Sequence, residues 1–267
     1  MPLPSLFVSH GAPNLILGDT PAREFLASYG EKLIAERGRP SAIVMASAHF
    51  EADRPTLTAD AEPGMIYDFG GFEPALYQMV YPAKGDPALA RRAAEMIARS
   101  GEHPQVVTGR GYDHGTWAPL MLLFPKADIP VVQISVSPHR DGEWHASLGR
   151  ALAPLREEGV LIMGSGTATH NLREIFALIR RSGPAAPSPD WVIAFNDWIV
   201  RKVEAGALDD VAHAFERAPH ARDNHPTPDH FLPLPFAMGA AGEGVKGTRV
   251  HASTQFGAMA MDAYSFG

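Results

Sequence analysis

Four short apolar runs, separated by stretches of helical period, constrain the fold of this chain more than any other feature. Each run is rich in Val and Ile and does not alternate polar with apolar residues, which is typical of strands covered on both faces. The periodic segments between them indicate helices. The predicted strands are PSLFVS (4–9), AIVMASA (42–48), PVVQISV (130–136) and GVLIMGS (159–165), and the predicted helices span 21–37, 87–99, 142–157 and 189–205.

Strands that alternate with helices predict an α/β fold with a mostly parallel or mixed central sheet and helices on both of its faces. No Ser/Gly linker, repeat or low-complexity tract divides the 267 residues, and the Pro-rich stretch PAAPSP (184–189) is short enough for a surface loop. We therefore predict a single domain over residues 1–267. The β-type composition of residues 248–256 predicts antiparallel strands at an edge of the sheet.

The charge and hydropathy patterns narrow the class of partner. The formal net charge is −7, without a long run of like charges. This disfavours nucleic acid and anionic membrane surfaces as partners and favours a small-molecule substrate. The sequence has neither a signal-peptide pattern nor eighteen consecutive apolar residues, so we expect a cytoplasmic protein that does not span a membrane. The sequence leaves the oligomeric state open.

The chain contains no cysteine but has 12 histidines. The absence of thiols excludes disulfides, thiolate nucleophiles and Cys-ligated zinc. Any metal site must therefore use nitrogen and oxygen ligands. Histidine is the residue type to follow along the chain.

Three histidines follow predicted strands. His10 follows the first strand, His49 the second and His170 the fourth. A single histidine near a core is more often structural, but ligands of open α/β sheets bind beyond the carboxyl ends of the strands. We therefore predict that at least two of these three share a site. His114 lies in a Gly-flanked loop, GYDHGTW (111–117), ahead of a predicted helix.

The segment HARDNHPTPDH (220–230) supplies further candidates. Its two prolines interrupt any helix, and Thr227 or Pro228 could open a helix that runs through 231–241. This places His230 in a first helical turn and His225 on the preceding loop. Either side chain could reach the same edge of the sheet.

Other chemistries have weaker support. The sequence contains no P-loop, no complete dinucleotide fingerprint and no G-x-S-x-G nucleophile elbow. The glycines of GSGTAT (164–169) either bind an anion through backbone N–H groups or let another backbone segment pass close to the site. We favour the second explanation.

Six motifs in order along nearly the whole chain are SHGAP (9–13), SAHF (47–50), YDFGGF (67–72), YDHGTW (112–117), THNLR (169–173) and HPTPDHFLPL (225–234). Together they resemble the class III extradiol ring-cleaving dioxygenases, the family of the protocatechuate 4,5-dioxygenase catalytic subunit. Within that family the chain is most similar to the 4,5-DOPA extradiol dioxygenase-like branch. Each motif alone is weak evidence for the family, but six motifs in the same order along the chain are specific for it.

The resemblance implies that His10, His49 and His230 bind the catalytic metal, with Fe(II) required for activity and Zn(II) possible in the same site. It also implies that His170 and His114 are acid/base residues beside the metal. His170 is sometimes counted as a metal ligand in this branch, and that alternative stays open here. Protocatechuate-type enzymes supply a glutamate as third ligand, whereas this chain has His230.

Extradiol chemistry explains why three histidines are needed. Three ligands on one face of a six-coordinate ion leave three positions for the two catechol oxygens and O2. Iron passes electron density between the diol and O2, and redox-inert zinc does not. A histidine that titrates near neutrality can move the required protons, so His170 is the predicted general base and His114 the group that stabilises bound oxygen or donates a proton.

Three aromatic residues are candidate walls for the substrate ring. Tyr67, Phe72 and Trp117 flank a loop whose paired glycines allow close approach. The alternative is a tight turn packed on an apolar helix. Both explanations stay open at the level of sequence.

Three further residues are predicted to support the site. Asp68 and Asp113 carry carboxylates of the kind that orient histidines through Nδ1–H. Asp113 directly precedes His114, which suits it better to turning the loop than to contacting that neighbour. His225 is predicted to hydrogen-bond a group that binds the metal.

These observations predict an iron-dependent dioxygenase that opens the ring of a small catechol, with an aromatic diol and O2 as its partners. One alternative is a zinc-dependent hydrolase on the same three histidines, because a zinc-bound water can attack esters or amides. Another is a non-catalytic metal-binding member of the fold. The sequence does not distinguish among catechols, because that choice depends on the shape of the pocket.

Overall fold

A computed structural model of the protein describes residues 2–267. It consists of strands that alternate with helices over most of the chain. The strands are β1 (Ser5–Ser9), β2 (Ala42–Glu51), β3 (Thr56–Thr58), β4 (Gln105–Val107), β5 (Val131–Val136), β6 (Val160–Gly166), β7 (Gly247–His251), β8 (Thr254–Gln255), β9 (Met259–Ala260) and β10 (Ala263–Phe266). The helices are α1 (Pro21–Arg37), α2 (Pro87–Ala98), α3 (His114–Leu123), α4 (Gly142–Leu152), α5 (Leu172–Ser182), α6 (Asp190–Ala205), α7 (Leu208–Ala212), α8 (Ala214–Arg217), α9 (Ala221–Asn224) and α10 (Pro233–Ala241).

Within residues 2–267, eight strands form one mixed sheet in the order β4-β3-β5-β2-β6-β1-β10-β7. Its central strands β5, β2, β6 and β1 are parallel to one another. β3 pairs antiparallel with β5 on one side, and β10 and β7 pair antiparallel at the other edge. The predicted α/β class and the antiparallel strands of the tail are confirmed. The four predicted strands are β1, β2, β5 and β6.

Helices cover both faces of the sheet. Along β2, Ile43 and Met45 point into a core with residues of α1 and α3, while Val44 and Ala46 point into a second core with residues of α2 and α4. Successive side chains of a strand face opposite sides. A strand with apolar neighbours on both sides therefore needs a continuous apolar run, which explains the pattern seen in the sequence.

The predicted helix 142–157 is shorter in the structure. It ends as an α-helix at Leu152 and continues as a 3₁₀ turn over Ala153–Glu158. Pro154 lacks a backbone N–H and cannot make the bond that would continue the α-helix. None of the helices described combines the length and apolarity that crossing a bilayer requires.

Strand order brings the predicted histidines together. Since β2, β6 and β1 are adjacent and parallel, their carboxyl ends lie at the same edge of the sheet. β2 extends beyond its predicted end and shifts register against β5 between Ser47 and Glu51. His49 lies in this irregular stretch, where the strand no longer follows a regular ladder.

His145 is a buried histidine that belongs to the scaffold. It lies on α4, where Nε2 accepts a hydrogen bond from the Ser137 N–H at 3.0 Å and Nδ1 donates to the Asp141 carbonyl at 2.7 Å. Burial lowers the pKa of His145 from 6.5 to about 4, although the contacts with Asp141 oppose this shift. A depressed histidine pKa means that the unfolded chain binds a proton before the folded protein does.

We therefore expect His145 to make stability fall as the pH drops from about 6.5 towards 4, and to have no such effect above that window. At pH 5 its contribution is a loss of about 2 kcal/mol relative to pH 7.5. Urea unfolding of the wild-type protein and of His145→Gln, both with chelator, measures this. The variant should lose less stability between the two pH values, and an equal loss would contradict the assignment.

Candidate metal centre

Three of the predicted histidines meet at the carboxyl edge of the central strands. His10 directly follows β1, and its backbone N–H donates to the Gly166 carbonyl at 2.9 Å. His49 lies in β2, and His230 lies in the turn before α10. His10 and His230 are buried, and His49 is partly exposed.

The predicted helix start at Thr227 or Pro228 is wrong, because α10 begins at Pro233. His230 therefore lies in a turn in which the Phe231 N–H donates to the Pro228 carbonyl at 2.8 Å. Pro233 and Pro235 lack the N–H groups that would bond to the carbonyls four residues earlier, so a helix cannot extend back through this segment.

The ring nitrogens of the three histidines converge. Nε2 of His49 is 3.1 Å from Nε2 of His10 and 3.2 Å from Nε2 of His230. All three lie within 4.8 Å of one another. Metal–nitrogen bonds of about 2.1 Å place two ligand nitrogens about 3.0 Å apart at a right angle and about 3.4 Å apart at a tetrahedral angle. The observed separations fit three ligands of one ion.

The second nitrogen of each ring fixes its tautomer. Ser165 Oγ donates to the Gly115 carbonyl at 2.5 Å, so it must accept from Nδ1–H of His10 at 2.9 Å. Nδ1 of His49 is 3.2 Å from the Asp68 carboxylate, and Nδ1 of His230 donates to the carboxylate of Asp229. Each Nε2 therefore carries a lone pair rather than a proton.

Three lone pairs that face one another at this distance repel unless a cation lies between them. Neutral imidazole nitrogens suit iron and zinc alike. The residues present therefore fit a divalent transition metal, and the donor set by itself does not select one.

Burial governs the electrostatics of these rings. It lowers the pKa of His49 to about 3 and that of His230 to about 4, and holds the pKa of His10 well below 6.5. Neighbouring rings add to the effect at His10 and His49. The imidazoles are thus uncharged at neutral pH, which is the form that binds a metal.

Asp68 contacts two histidines of the site. Its Oδ1 accepts hydrogen bonds from Nδ1 and from the backbone N–H of His114, at 2.9 and 3.0 Å, and its Oδ2 lies 3.2 Å from Nδ1 of His49. Burial raises the pKa of Asp68, but the hydrogen bonds from His114 outweigh it and the pKa falls to about 2. One carboxylate thus orients the ring of His49, a candidate metal ligand, and the neighbouring ring of His114.

Replacing Asp68 with asparagine should weaken metal binding about 10- to 100-fold. An amide cannot accept from both Nδ1–H groups, and its own NH2 would face one of them. Metal affinity measured by competition with a chelator tests this, with Asp128→Asn, an exposed surface carboxylate paired with Arg39, as the matched control. Equal affinities in the two variants would exclude the orienting role.

Asp113 acts on the loop, as its position beside His114 suggested. It caps α3 by accepting from the Thr116 N–H at 3.0 Å, and it accepts from Ser47 Oγ at 2.6 Å and from Arg110 at 2.8 Å. Arg110 also donates to the His49 carbonyl at 3.0 Å. These bonds fix the start of α3 against the irregular end of β2.

His170 stacks on His230. The ring centroids are 3.6 Å apart and the planes are nearly parallel, at 8°. His170 shares a close group with Asp229 and His230 but lies outside the set formed by His10, His49 and His230. Burial, followed by the neighbouring His230, lowers the pKa of His170 to about 3. In the substrate-free site the ring is therefore neutral and does not titrate near neutrality, contrary to the expectation from the sequence.

His225 does not hydrogen-bond to any of the three candidate metal ligands. Its Nε2 bonds to the Ala168 carbonyl at 3.0 Å, and its ring packs among Phe195, Phe215 and Phe231. The predicted bond from His225 to a metal ligand is therefore corrected. The residue stabilises the turn that leads to His170.

A cavity of about 630 Å³ opens above the histidines. His49, His114, His170 and His230 line it, together with apolar residues of α5 and of the loop around residues 68–72. Its volume is typical of small-molecule sites.

The predicted aromatic walls need a correction. Phe72 lines the cavity, but Trp117 is completely buried behind it, where its indole N–H donates to the Ile66 carbonyl at 3.2 Å. Tyr67 donates its hydroxyl proton to the Met79 carbonyl at 2.8 Å and packs against Phe69. Phe69, which lies between Tyr67 and Phe72 in the same predicted wall segment, also lines the cavity.

Two glycines let the backbone close around the site. A Cβ at Gly166 would lie 2.1 Å from the His230 carbonyl oxygen, and one at Gly115 would lie 2.6 Å from Ser47 Oγ and 2.9 Å from the His49 ring. The preferred explanation of GSGTAT, close backbone approach, is confirmed at Gly166. The close approach of the backbone at Gly115 was not predicted, although the position of this glycine directly after His114 was a signal for it.

Comparisons with known proteins agree with this geometry. Residues 4–266 match the family described as the catalytic LigB subunit of aromatic ring-opening dioxygenase. The chain is 42% identical over 268 residues to a 4,5-DOPA dioxygenase extradiol of Beta vulgaris, covering 98% of this chain and 96% of the relative. It is 37% identical over 244 residues to the protein of that name from Escherichia coli (strain K12), covering 89% and 85%.

A solved structure has the same fold. The crystal structure of an uncharacterized protein from Escherichia coli K12 superposes with a TM-score of 0.78 at 30% identity, covering 99% of this chain and all of the other. The prediction of an extradiol ring-cleaving dioxygenase is confirmed. The chain belongs to the LigB family of aromatic ring-opening dioxygenases.

Proposed function

We propose that this protein opens the ring of a small catechol with O2 by extradiol cleavage, using Fe(II) held by His10, His49 and His230. The observation that carries this proposal is the convergence of three unprotonated Nε2 atoms at the floor of an apolar cavity. Family membership supports the reaction class, and the named relatives support a catechol as the substrate.

Bound Fe(II) would supply the redox chemistry that lets a diol react with O2. The reaction breaks one ring C–C bond beside the diol. Both atoms of O2 enter the product, which carries an aldehyde at one of the separated carbons and a carboxylate at the other. The three histidines approach from below, so the cavity side stays available for the diol and O2.

We assign the proton transfers to His170. The reaction needs a base for the second catechol hydroxyl and, later, the return of a proton to an oxygen derived from O2. His170 lines the cavity, and its stacking on His230 holds it beside the metal-binding residues. Its place outside the converging nitrogens supports a role as acid and base rather than as a ligand.

We assign the stabilisation of oxygen to His114. Asp68 holds its Nδ1–H, which leaves Nε2 as the nitrogen able to contact a reacting group. His114 is buried at the start of α3 and lines the cavity. Phe72 and Phe69 would pack against the substrate ring.

We also propose that residues 1–267 act as one catalytic domain. β1 pairs antiparallel with β10, so segments near the two ends of the chain share one sheet. The cytoplasmic location stays a prediction from the sequence.

Anaerobic reconstitution followed by O2 tests this function. Protein loaded with Fe(II) should convert a panel of catechols into yellow ring-opened products and consume one O2 per ring. Protein loaded with Zn(II) should give no such product. Ester or amide hydrolysis by the zinc form, without ring opening by the iron form, would favour the hydrolase alternative, and metal binding without either activity would favour a non-catalytic role.

A further inference from the structure

The first turns of α5 form an apolar wall of the cavity. Four residues of this helix line it, and we call them the α5 face: Leu172, Ile175, Phe176 and Ile179. Their spacing of three and four residues places them on one side of a helix. Leu172 and Phe176 are 47% and 55% exposed, a high fraction for large apolar side chains.

The basic residues of α5 do not reach the cavity. Arg173 is 88% exposed and pairs with its neighbour Glu174 at 3.5 Å. Among the described residues that line the cavity there is neither lysine nor arginine. A carboxylate on a substrate would therefore find no cationic side chain there.

The charged side chains of the cavity are acidic. Asp68 and Asp229 accept hydrogen bonds from His114 and His230, so they belong to the histidine network. Glu51 lies at the end of β2, and residues 2–267 provide it with no ion-pair partner. An anionic group near this rim would meet like charge.

We propose that the preferred catechol carries an uncharged, apolar substituent opposite its hydroxyls, and that this substituent packs on the α5 face. The inference rests on the proposed function, because it takes the diol to lie at the three histidines. A group opposite the diol then points away from the floor and into the apolar part of the cavity. An ionised carboxylate in the same place would lose its hydration without gaining a partner.

Three catechols whose substituents have the same shape test the effect of charge on binding separately from the effect of apolarity. They carry 3-methylbutyl, propionamide and propionate at position 4. We expect the alkyl catechol to bind at least about tenfold more tightly than the amide, and about 100-fold more tightly than the acid. Calorimetric titration of the Fe(II)-loaded protein without O2 gives the three dissociation constants. Equal affinities, or a preference for the acid or for a matched primary amine, would overturn the inference.

Variants of Phe176 test whether the substituent packs on the α5 face. Phe176→Ala should weaken binding of the alkyl catechol about fivefold and leave unsubstituted catechol unchanged. Phe176→Arg should tighten binding of the acid at least about tenfold, because it adds the missing cation. Ile193→Arg on α6, an exposed apolar residue outside the cavity, is the matched control and should change neither. Unchanged constants in both Phe176 variants would show that the substituent lies elsewhere.

The same samples separate this inference from the proposed function. Exposure to O2 with unsubstituted catechol measures ring opening and does not depend on the α5 face. Ring opening without a preference for the alkyl group would remove the inference and keep the function. The binding preference without ring opening would keep the inference and remove the function.

Discussion

Replacing His49 with alanine is expected to leave a folded protein that no longer retains its metal, and to lower kcat/KM for catechol by at least about 1,000-fold. His49 is the middle residue of the site, since its Nε2 is the one close to both other nitrogens. Two imidazoles hold a divalent ion far less tightly than three, and the vacated position would admit water.

Metal content after gel filtration and steady-state ring opening measure this prediction. His49 is partly exposed and lies in the irregular last part of β2, so its removal should leave the circular dichroism spectrum unchanged. The matched control is His103→Ala, because His103 is an exposed histidine outside the cavity. Full metal content and wild-type turnover in His49→Ala would exclude the three-histidine site.

Replacing His170 with glutamine should separate metal binding from turnover. We expect the metal content to stay near the wild-type value and kcat to fall about 100- to 10,000-fold, the usual contribution of a general acid or base. Glutamine keeps a planar polar group against His230 but cannot exchange a proton near neutral pH.

The two variants distinguish the roles of their residues. Loss of a metal ligand should abolish both metal binding and turnover, whereas loss of a general base should lower turnover and leave the metal content unchanged. If His170→Gln also lost its metal, His170 would be a fourth ligand. If its turnover were unchanged, the residue would have no part in the proton transfers.

A hydrogen-bonding group behind each of the three histidines sets the orientation of its ring. These groups are Ser165 for His10, Asp68 for His49 and Asp229 for His230. Such partners set which ring nitrogen carries the proton. The site thus depends on the loops around residues 68 and 229 as much as on the sheet.

The positions of His10 and His49 could be predicted because buried parallel strands are local features of the sequence. A continuous apolar run marks such a strand, and the residue that follows it lies at the edge where ligands bind. His230 was identified by resemblance, and its local structure was predicted incorrectly. Two prolines after it moved the start of α10 to Pro233.

The sequence by itself determined the four buried strands, their alternation with helices and the edge of the sheet where histidines collect, because a continuous apolar run and the residue that follows it are local features of the sequence. The tertiary structure decided which aromatic residues face the cavity, with Phe69 at the wall and Trp117 behind it. It also decided that the single carboxylate of Asp68 contacts both His49 and His114. Both outcomes depend on how loops from distant parts of the chain pack against one another, and no local pattern encodes that packing.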